Sequence, residues 1–522
     1  MSERPFAKGY SDAGASHNRR ALKGFTARSS SPREDIDWNQ YTLRQRGRML
    51  YMSSPLATSA IKTNRTKIVG TGLMLKSSVD AAALRLTPEA AKDWQRNTEK
   101  EFALWADKRQ NCDAIGVNNF YGMQQLAVVS WLTSGDVFGM KQWVSATDTN
   151  PYQLRIRMIE ADRVSTPLDG RLIAGGLTEG RAKNGNPIYD GVEVDKRTGQ
   201  IVAYWVCNMY PDQFVQDASM RTWQRVRAFG RRTGEPLMLH VMDTERPDQY
   251  RGVTYLAPVI EYLLNISRYN QAELLAATVQ SFFTAFIYTE TNPAEIPMNE
   301  VGYGPDESPD RPPDSYVSEN PNEHEMGPGT MIHLKPGEKV EFGEPKIPVA
   351  GHEAFIRVMA KLTGAALELP YDTIMKEFNA SYSASRAAIM EAWEAVAMRR
   401  SWLVSSFCQP VYEAWLTEAV AIGRIKAPGF FTDPRIRAAW CGAQWLGPVQ
   451  GQLDPLKEVR ANILAAGNAF KTHAQIAREY GGSDWQANAE ELGNELNTLR
   501  DIGAIVTPDD GGDEDEQEND NQ

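Results

Sequence analysis

"YLAPVIEYLLNISRYNQAELLAATVQSFFTAFIYTE", residues 255–290, is the stretch on which the architecture turns. Its apolar residues recur at three- and four-residue spacing and wrap most of a helix circumference, so neighbours are expected on more than one side. Read from Pro258, a continuous helix here runs to about 45 Å at ~1.5 Å per residue. Before it the period is different. "QLRIRMIEADRV", 153–164, and "LMLHVMD", 237–243, alternate as strands do, and "PIYDGVEVDKRTGQIVAYWV", 187–206, reads as two strands joined at "DKRTGQ". After it comes "TNPAEIPMNEVGYGPDESPDRPPDSYVSENPNEHEMGPGT", 291–330, dense in Pro, Gly and acids, which reads as a linker or projecting piece.

Further out, helical patterns recur. Residues 39–70 carry helical spacing broken at "SSP"; 87–107 starts with Thr87 as N-cap and Pro88 at the first helical position; 119–136 is a third helix. "MIHLKPGEKVEF", 331–342, suggests a hairpin turning at Pro336-Gly337, and 351–369 is helical again. A long helix is expected from about Ser385 to Gly423. Helical pattern dominates beyond 430, with Asp454-Pro455 as a start and Thr472 and Ser483 as caps. The fold class expected is helix-rich α+β.

Composition agrees with a folded protein: of 522 residues, 42% are hydrophobic and 24% charged, with 13 Trp and 19 Tyr. At this length two or more domains are expected. No apolar run is long enough to span a bilayer, and "MSERPFAKGYSDAG" lacks the apolar centre of a signal peptide, so use in the cytoplasm, or in something assembled there, is expected. The net charge of -11 is uneven. The tail "DDGGDEDEQENDNQ", 509–522, holds eight acids and no base, which leaves -3 for the rest, while residues 1–50 hold ten Arg or Lys against five acids. A protein gripping DNA by bulk charge would be more basic.

Catalytic patterns are missing from the sequence. There is no GxxxxGK[ST] and no GxSxG; "GGSDW" at 481–485 is the nearest to the latter. His324-Glu325 and His352-Glu353 each open an HExxH whose second His is absent, and the six His are scattered. Acid pairs such as Glu245 with Asp248, or Glu391 with Glu394, read as solvated faces. "GTG" at 70–72 and "GDVFG" at 135–139 read as turns. Cys112, Cys207, Cys408 and Cys441 form no CxxC and read as reduced, mostly buried thiols. Neither a metal nor a cofactor is expected.

Several phrases stand in a telling order: "IVGTGL" at 68–73, "SGDVF" at 134–138, "IEADRVSTP" at 159–167, "GVEVDKRTGQIVAYWV" at 191–206, "ERPDQYRGVTYLAPVIEYLLNISRYNQAEL" at 245–274, "LKPGEKVEFGEPKIP" at 334–348 and "NASYSASRAAIMEAW" at 379–393. Together they resemble the portal proteins of tailed bacteriophages, the lambda-like family, from roughly 35 to 500. That resemblance implies a non-catalytic virion protein of portal fold. It would form a homo-oligomeric ring, a dodecamer in most relatives, at one capsid vertex, with assembly in the host cytoplasm and no membrane. Double-stranded DNA would be packaged and ejected through the axis without sequence preference. Terminase large subunit, head–tail connector or adaptor proteins and the major capsid protein would be partners. A different ring-forming connector or capsid-associated protein is the alternative.

The resemblance also implies a division of the chain: a basic N-terminal arm at 1–30, a wing at 31–255, stem helices at 256–290 and 351–369, a clip at 291–350 between them, a tunnel loop at 370–385, a long helix at 386–425, a crown at 426–508 and the acidic tail at 509–522. In the expected tunnel loop, "PYDTIMKEFNASYSAS", Pro370 should stop the preceding helix and Ser383 or Ser385 cap the next. By this resemblance Lys376, Asn379, Ser381, Tyr382 and Ser383 would line the DNA channel. Pro312, Pro313, His333, Lys335 and Lys339, in the clip, would dock terminase or connector.

Overall fold

The protein is described by a computed structural model that covers residue 15 and residues 20–167, 179–214, 220–282, 286–289, 338–341, 351–377, 382–451 and 454–502. Two compact units result. The larger holds Met1–Pro258 and Leu367–Gln522, and the smaller is Val259–Ala366, inserted between them in the chain.

The larger unit opens with α1 (Trp38–Ser53) and α2 (Pro55–Ile68), separated at Ser54, whose φ of -97° and ψ of 120° are extended. The break is the one that Pro55 imposes on the residue before it. Next come β1 (Met74–Ser77), α3 (Ala81–Leu84), α4 (Pro88–Ala106), α5 (Arg109–Cys112) and α6 (Phe120–Ser134). Thr87 Oγ1 caps α4 by accepting from Ala90 N at 3.2 Å, and Asn119 Oδ1 caps α6 by accepting from Gly122 N at 2.8 Å. The strands β2 (Asp136–Trp143), β3 (Leu154–Glu160), β4 (Glu179–Arg181), β5 (Pro187–Tyr189), β6 (Val192–Val194), β7 (Ile201–Cys207), β8 (Trp223–Arg227) and β9 (Met238–Met242) follow.

They make two antiparallel sheets, one of order β3-β2-β9 and one of order β4-β5-β6-β7-β8. The inner faces meet in a core of Phe138, Ile159, Val164, Val192, Tyr204, Val206 and Met238. Such alternation is what an antiparallel sheet with one covered face needs. The stretch 187–206 thus forms three strands rather than two, because Asp190 and Gly191 take positive φ (42° and 84°) and turn the chain inside the first expected strand.

The smaller unit holds α7 (Ile260–Phe282), β10 (Phe286–Thr289), β11 (Glu338–Glu341) and α8 (His352–Ala366). The helix expected to reach 290 ends at Phe282, and Phe286–Thr289 is a strand that pairs antiparallel with Glu338–Glu341. The expected turn at Pro336-Gly337 lies outside the described residues. Helices α7 and α8 pack through Tyr269, whose ring stacks on His352 at 5.1 Å and meets Phe355 edge-on at 4.9 Å. Leu274 and Leu275 on α7 stay 69% and 64% exposed in the single chain, so the broad apolar surface read from the sequence is there and uncovered.

Back in the larger unit are α9 (Tyr371–Met375), α10 (Tyr382–Leu403), α11 (Gln409–Ala421), α12 (Pro434–Trp440), β12 (Ala443–Leu446), α13 (Pro455–Gly467), α14 (His473–Gly481) and α15 (Trp485–Asp501). The long helix expected from Ser385 is α10 and α11 joined by a π-helical turn, Val404–Cys408. Helix α10 begins at Tyr382, so Ser383 and Ser385, expected ahead of the helix as caps, fall within its span. Asp454 and Thr472 cap α13 and α14, the latter as a full capping box, but α15 is capped by Asp484 and not by Ser483. Strand β12 pairs antiparallel with β1, Met74 opposite Leu446. A second core gathers Phe102, Trp105, Phe120, Phe407, Tyr412 and Trp415, with Phe102 edge-on to Trp415 at 5.0 Å. All four cysteines are free and buried.

Candidate functional site

Helix α8 ends at Ala366, and Pro370 (φ -56°, ψ 146°) starts the single-turn helix α9. The turn is pinned from beneath. Ile374 and Thr373 are buried, and Ser59 Oγ of α2 donates to Ile374 O at 2.8 Å. Lys376 then takes the left-handed conformation (φ 59°, ψ 32°), which ends α9 and turns its side chain onto α2. Its Nζ donates to Thr63 Oγ1 at 2.8 Å while the residue stays exposed. Burial, and then the charge of Lys376, push the Lys67 ammonium below its ordinary range.

Helix α10 is tied to the same α2. Arg400 Nε and Nη2 donate to the carbonyls of Ile68 and Lys67 at 2.9 and 2.7 Å, which satisfies the open C-terminal end of α2. Arg399 Nη1 donates to Asn64 Oδ1 at 3.2 Å, its guanidinium lies 4.9 Å from the Tyr255 ring, and it pairs with Glu368. The segment after α8 therefore springs from a rigid base.

Of the expected channel residues, Lys376 sits on this base. Tyr382 and Ser383 are in the first turn of α10, and Asn379 and Ser381 lie outside the described residues. Of the expected docking residues, Lys339 is in β11 opposite Tyr288. Pro312, Pro313, His333 and Lys335 lie outside the described residues.

A second constellation was not legible as chemistry in the sequence. Asp136, at the start of β2, and Arg251 are both fully buried. Arg251 Nε and Nη2 donate to the two carboxylate oxygens of Asp136 at 2.6 and 3.2 Å, a forked pair. The rest of the guanidinium donates to Val164 O and Ala161 O, both at 2.9 Å, and to Asp190 Oδ2 at 2.9 Å. Asp136 also accepts from Gly252 N at 3.2 Å and lies 3.3 Å from His240 Nε2. Helix α1 closes the cluster. Arg44 Nη1 donates to Asp162 Oδ1 at 3.2 Å, Arg48 pairs with Asp162, and Gln40 Nε2 donates to Gly252 O at 2.8 Å.

Burial alone would raise the Asp136 carboxyl, but Arg251, the His240 hydrogen bond and Arg44 outweigh it and hold it well below the carboxylate range. Burial lowers the His240 imidazole, against the pull of Asp136. Asp37 goes the other way: burial, then Asp190, push it up to about 7 in spite of Arg251 and Arg33. The approach of the two loops requires glycine. A Cβ on Gly252 would lie 1.9 Å from Gly135 O, and one on Gly135 (φ 91°) would lie 2.5 Å from Gly252 O.

This cluster explains the phrases read from the sequence. "SGDVF" supplies Gly135 and Asp136, "IEADRVSTP" supplies Ala161, Asp162 and Val164, and "ERPDQYRGVTY" supplies Arg251 and Gly252. They meet at one buried knot of alternating charge that fastens α1, both sheets and the lead into the smaller unit's segment. With no open face at Arg251 and Asp136, the knot is a fastening and not a binding site.

Residues 18–400 match the family model described as phage portal protein, lambda family. Portal protein B of Escherichia phage lambda is 23% identical over 450 residues, 84% of this chain and 80% of that protein. The portal protein of Escherichia phage N15 is 22% identical over 477 residues, 89% of this chain and 86% of that protein. Among solved structures, the neck of a native gene transfer agent particle computed with C12 symmetry contains a chain that aligns with a TM-score of 0.42 and 12% identity, over 85% of this chain and 94% of that one. The family match runs through the charged knot, Lys376 and α10 as far as Arg400, and on that ground the chain belongs to the lambda family of phage portal proteins, structural proteins of the virion's portal vertex.

Proposed function

We propose that copies of this chain close into a dodecameric ring whose bore passes double-stranded DNA during packaging and ejection, with residues 370–385 lining its narrow part. The observation that carries this is the family match over residues 18–400. Residues 291–350 would dock the terminase large subunit and later the head–tail connector, and residues 31–255 would face the major capsid protein. Terminase would supply the energy, and this chain would catalyse nothing. The uncovered Leu274 and Leu275 of α7 are surfaces that adjacent copies would bury.

The lining works through weak attraction. Duplex DNA carries one negative charge per ~1.7 Å of axis, and a closed ring multiplies each side chain by the subunit number. Lys376 gives one exposed ammonium per copy, already engaged with Thr63, beside Asp372 and Glu377. Such a collar guides a polyanion without arresting it. Electron microscopy of the purified chain should show rings with an open centre, and Lys376→Ala should keep the ring while weakening retention of packaged DNA in a nuclease-protection assay. Single chains only, or a Lys376→Ala protein that loses the ring, would sink the reading.

A further inference from the structure

The outer face of the five-stranded sheet carries an open cavity of about 620 Å³ that the portal reading does not use. Its floor is apolar: Ile201, Val202, Trp205 and Phe229, the last 45% exposed. Its rim is basic: Lys183, Arg225, Arg227 and Arg231. The pairing register places Glu193, Ala203 and Trp205 on one face with Arg225 and Arg227. Glu193 is fully buried and holds Arg225 by two hydrogen bonds, at 2.6 and 2.9 Å, while also accepting from Asn184 at 2.9 Å, Asn186 at 3.2 Å and Trp205 at 3.2 Å. That built-in carboxylate is thus saturated and consumes one cation only. Lys183, Arg227 and Arg231 are exposed, with no side-chain partner among the described residues.

We propose that this cavity is a docking site for the chain's own acidic tail, and that the segment seated there is 504–516, "AIVTPDDGGDEDE". Two complementarities select it. Ala504, Ile505 and Val506 are an aliphatic anchor of a size for the apolar floor, and Asp509, Asp510 and the acids after them meet the unpaired rim cations. A nucleic-acid backbone matches the rim but has no aliphatic group for the floor. The tail belongs to a chain whose net charge of -11 falls to -3 without it, so seating it also shields most of that excess. The inference stands apart from the ring reading, since it needs only this sheet and this tail.

The test uses the full chain with Asn521→Cys carrying a fluorophore, the four native thiols being buried. A held tail gives high dye anisotropy. Lys183→Ser/Arg227→Ser/Arg231→Ser, all at exposed positions, should drop it to that of the free labelled peptide, as should raising salt from about 0.05 M to about 0.5 M. Ile505→Ser/Val506→Ser should do the same with the cavity intact. An unlabelled peptide of residues 503–522 should displace the held tail, about tenfold less well when its two aliphatics are Ser. Anisotropy that both sets of substitutions leave unchanged overturns the proposal. So does a result in which the triple substitution abolishes binding of a duplex DNA oligonucleotide and leaves the tail's anisotropy as it was.

Discussion

Replacing Arg251 by Met should cripple the larger unit, and replacing Asp136 by Leu as well should restore part of the loss. Arg251→Met removes six hydrogen bonds from a fully buried guanidinium: two to Asp136 at 2.6 and 3.2 Å, one each to Val164 O and Ala161 O at 2.9 Å, and two to Asp190, at Oδ2 (2.9 Å) and at its carbonyl. Asp136 would then keep its charge with no solvent, holding only the Gly252 amide, His240 and an Arg44 guanidinium 3.9 Å away. A buried pair broken on one side costs about 3–5 kcal/mol, whereas removing both charges for apolar groups is often nearly neutral. Three carbonyls, of Ala161, Val164 and Asp190, and the Asp190 carboxylate would remain short of a donor, so recovery is partial, and the coupling between the two positions should reach about 2 kcal/mol or more. Urea unfolding of the unassembled chain, followed by tryptophan fluorescence across the four proteins of the cycle, measures it. Two losses that add within about 0.5 kcal/mol would refute the claim that this pair is the fastening.

Asp37→Asn should stabilise the chain at neutral pH. The folded carboxyl sits near 7, above its ordinary 3.8, so the folded state binds the extra proton between those values. Stability from this group is whole at low pH and falls as pH rises through that window, by about 4 kcal/mol at most, and the variant-minus-native difference in melting against pH should trace it. Gly252→Ala, whose Cβ would meet Gly135 O at 1.9 Å, should lower the melting temperature severely or prevent folding, while Gly116→Ala, with nothing within 4 Å, should cost only about 1 kcal/mol for its φ of 69°. A thermal melt by circular dichroism that ranks them the other way would count against the back-to-back loops. Deleting residues 300–325 should leave rings in electron micrographs and abolish terminase pull-down; normal packaging by that deletion would refute the docking role of 291–350.

What the sequence disclosed and what it hid divide by range of interaction. Caps act within one turn, and Thr87, Asp454 and Thr472 were readable because each bonds an amide a few residues ahead. Ser383 looked like a cap, but the helix already runs at Tyr382, so hydroxyl chemistry alone misplaced the start. Strand β8, with Trp223 and Arg227 on its outer face, has no clean alternation to betray it, and β12 was submerged in helical pattern because its partner lies at Met74–Ser77. The charged knot is the sharpest case. Asp136, Asp162 and Arg251 all stood in phrases that signalled the family, yet nothing local tells a buried ion pair from a solvated one. Their meaning is spatial. In the segment after α8, the hydrogen bond from Lys376 to Thr63 had no trace in the sequence, because the two residues lie far apart along the chain.

The β1–β12 pairing sets a schedule for the newborn polypeptide. Met74 leaves the ribosome long before Leu446 exists, and at about 10 residues per second the wait is roughly 40 s. Over that interval Phe102 and Phe120 lack Trp415 and Phe407, so a nascent chain shows sticky aromatic surface to the cell, whereas Val259–Ala366 is translated whole before its host can close. Prematurely terminated fragments would then be unable to complete the larger unit, and the chain's own topology would act as quality control ahead of assembly.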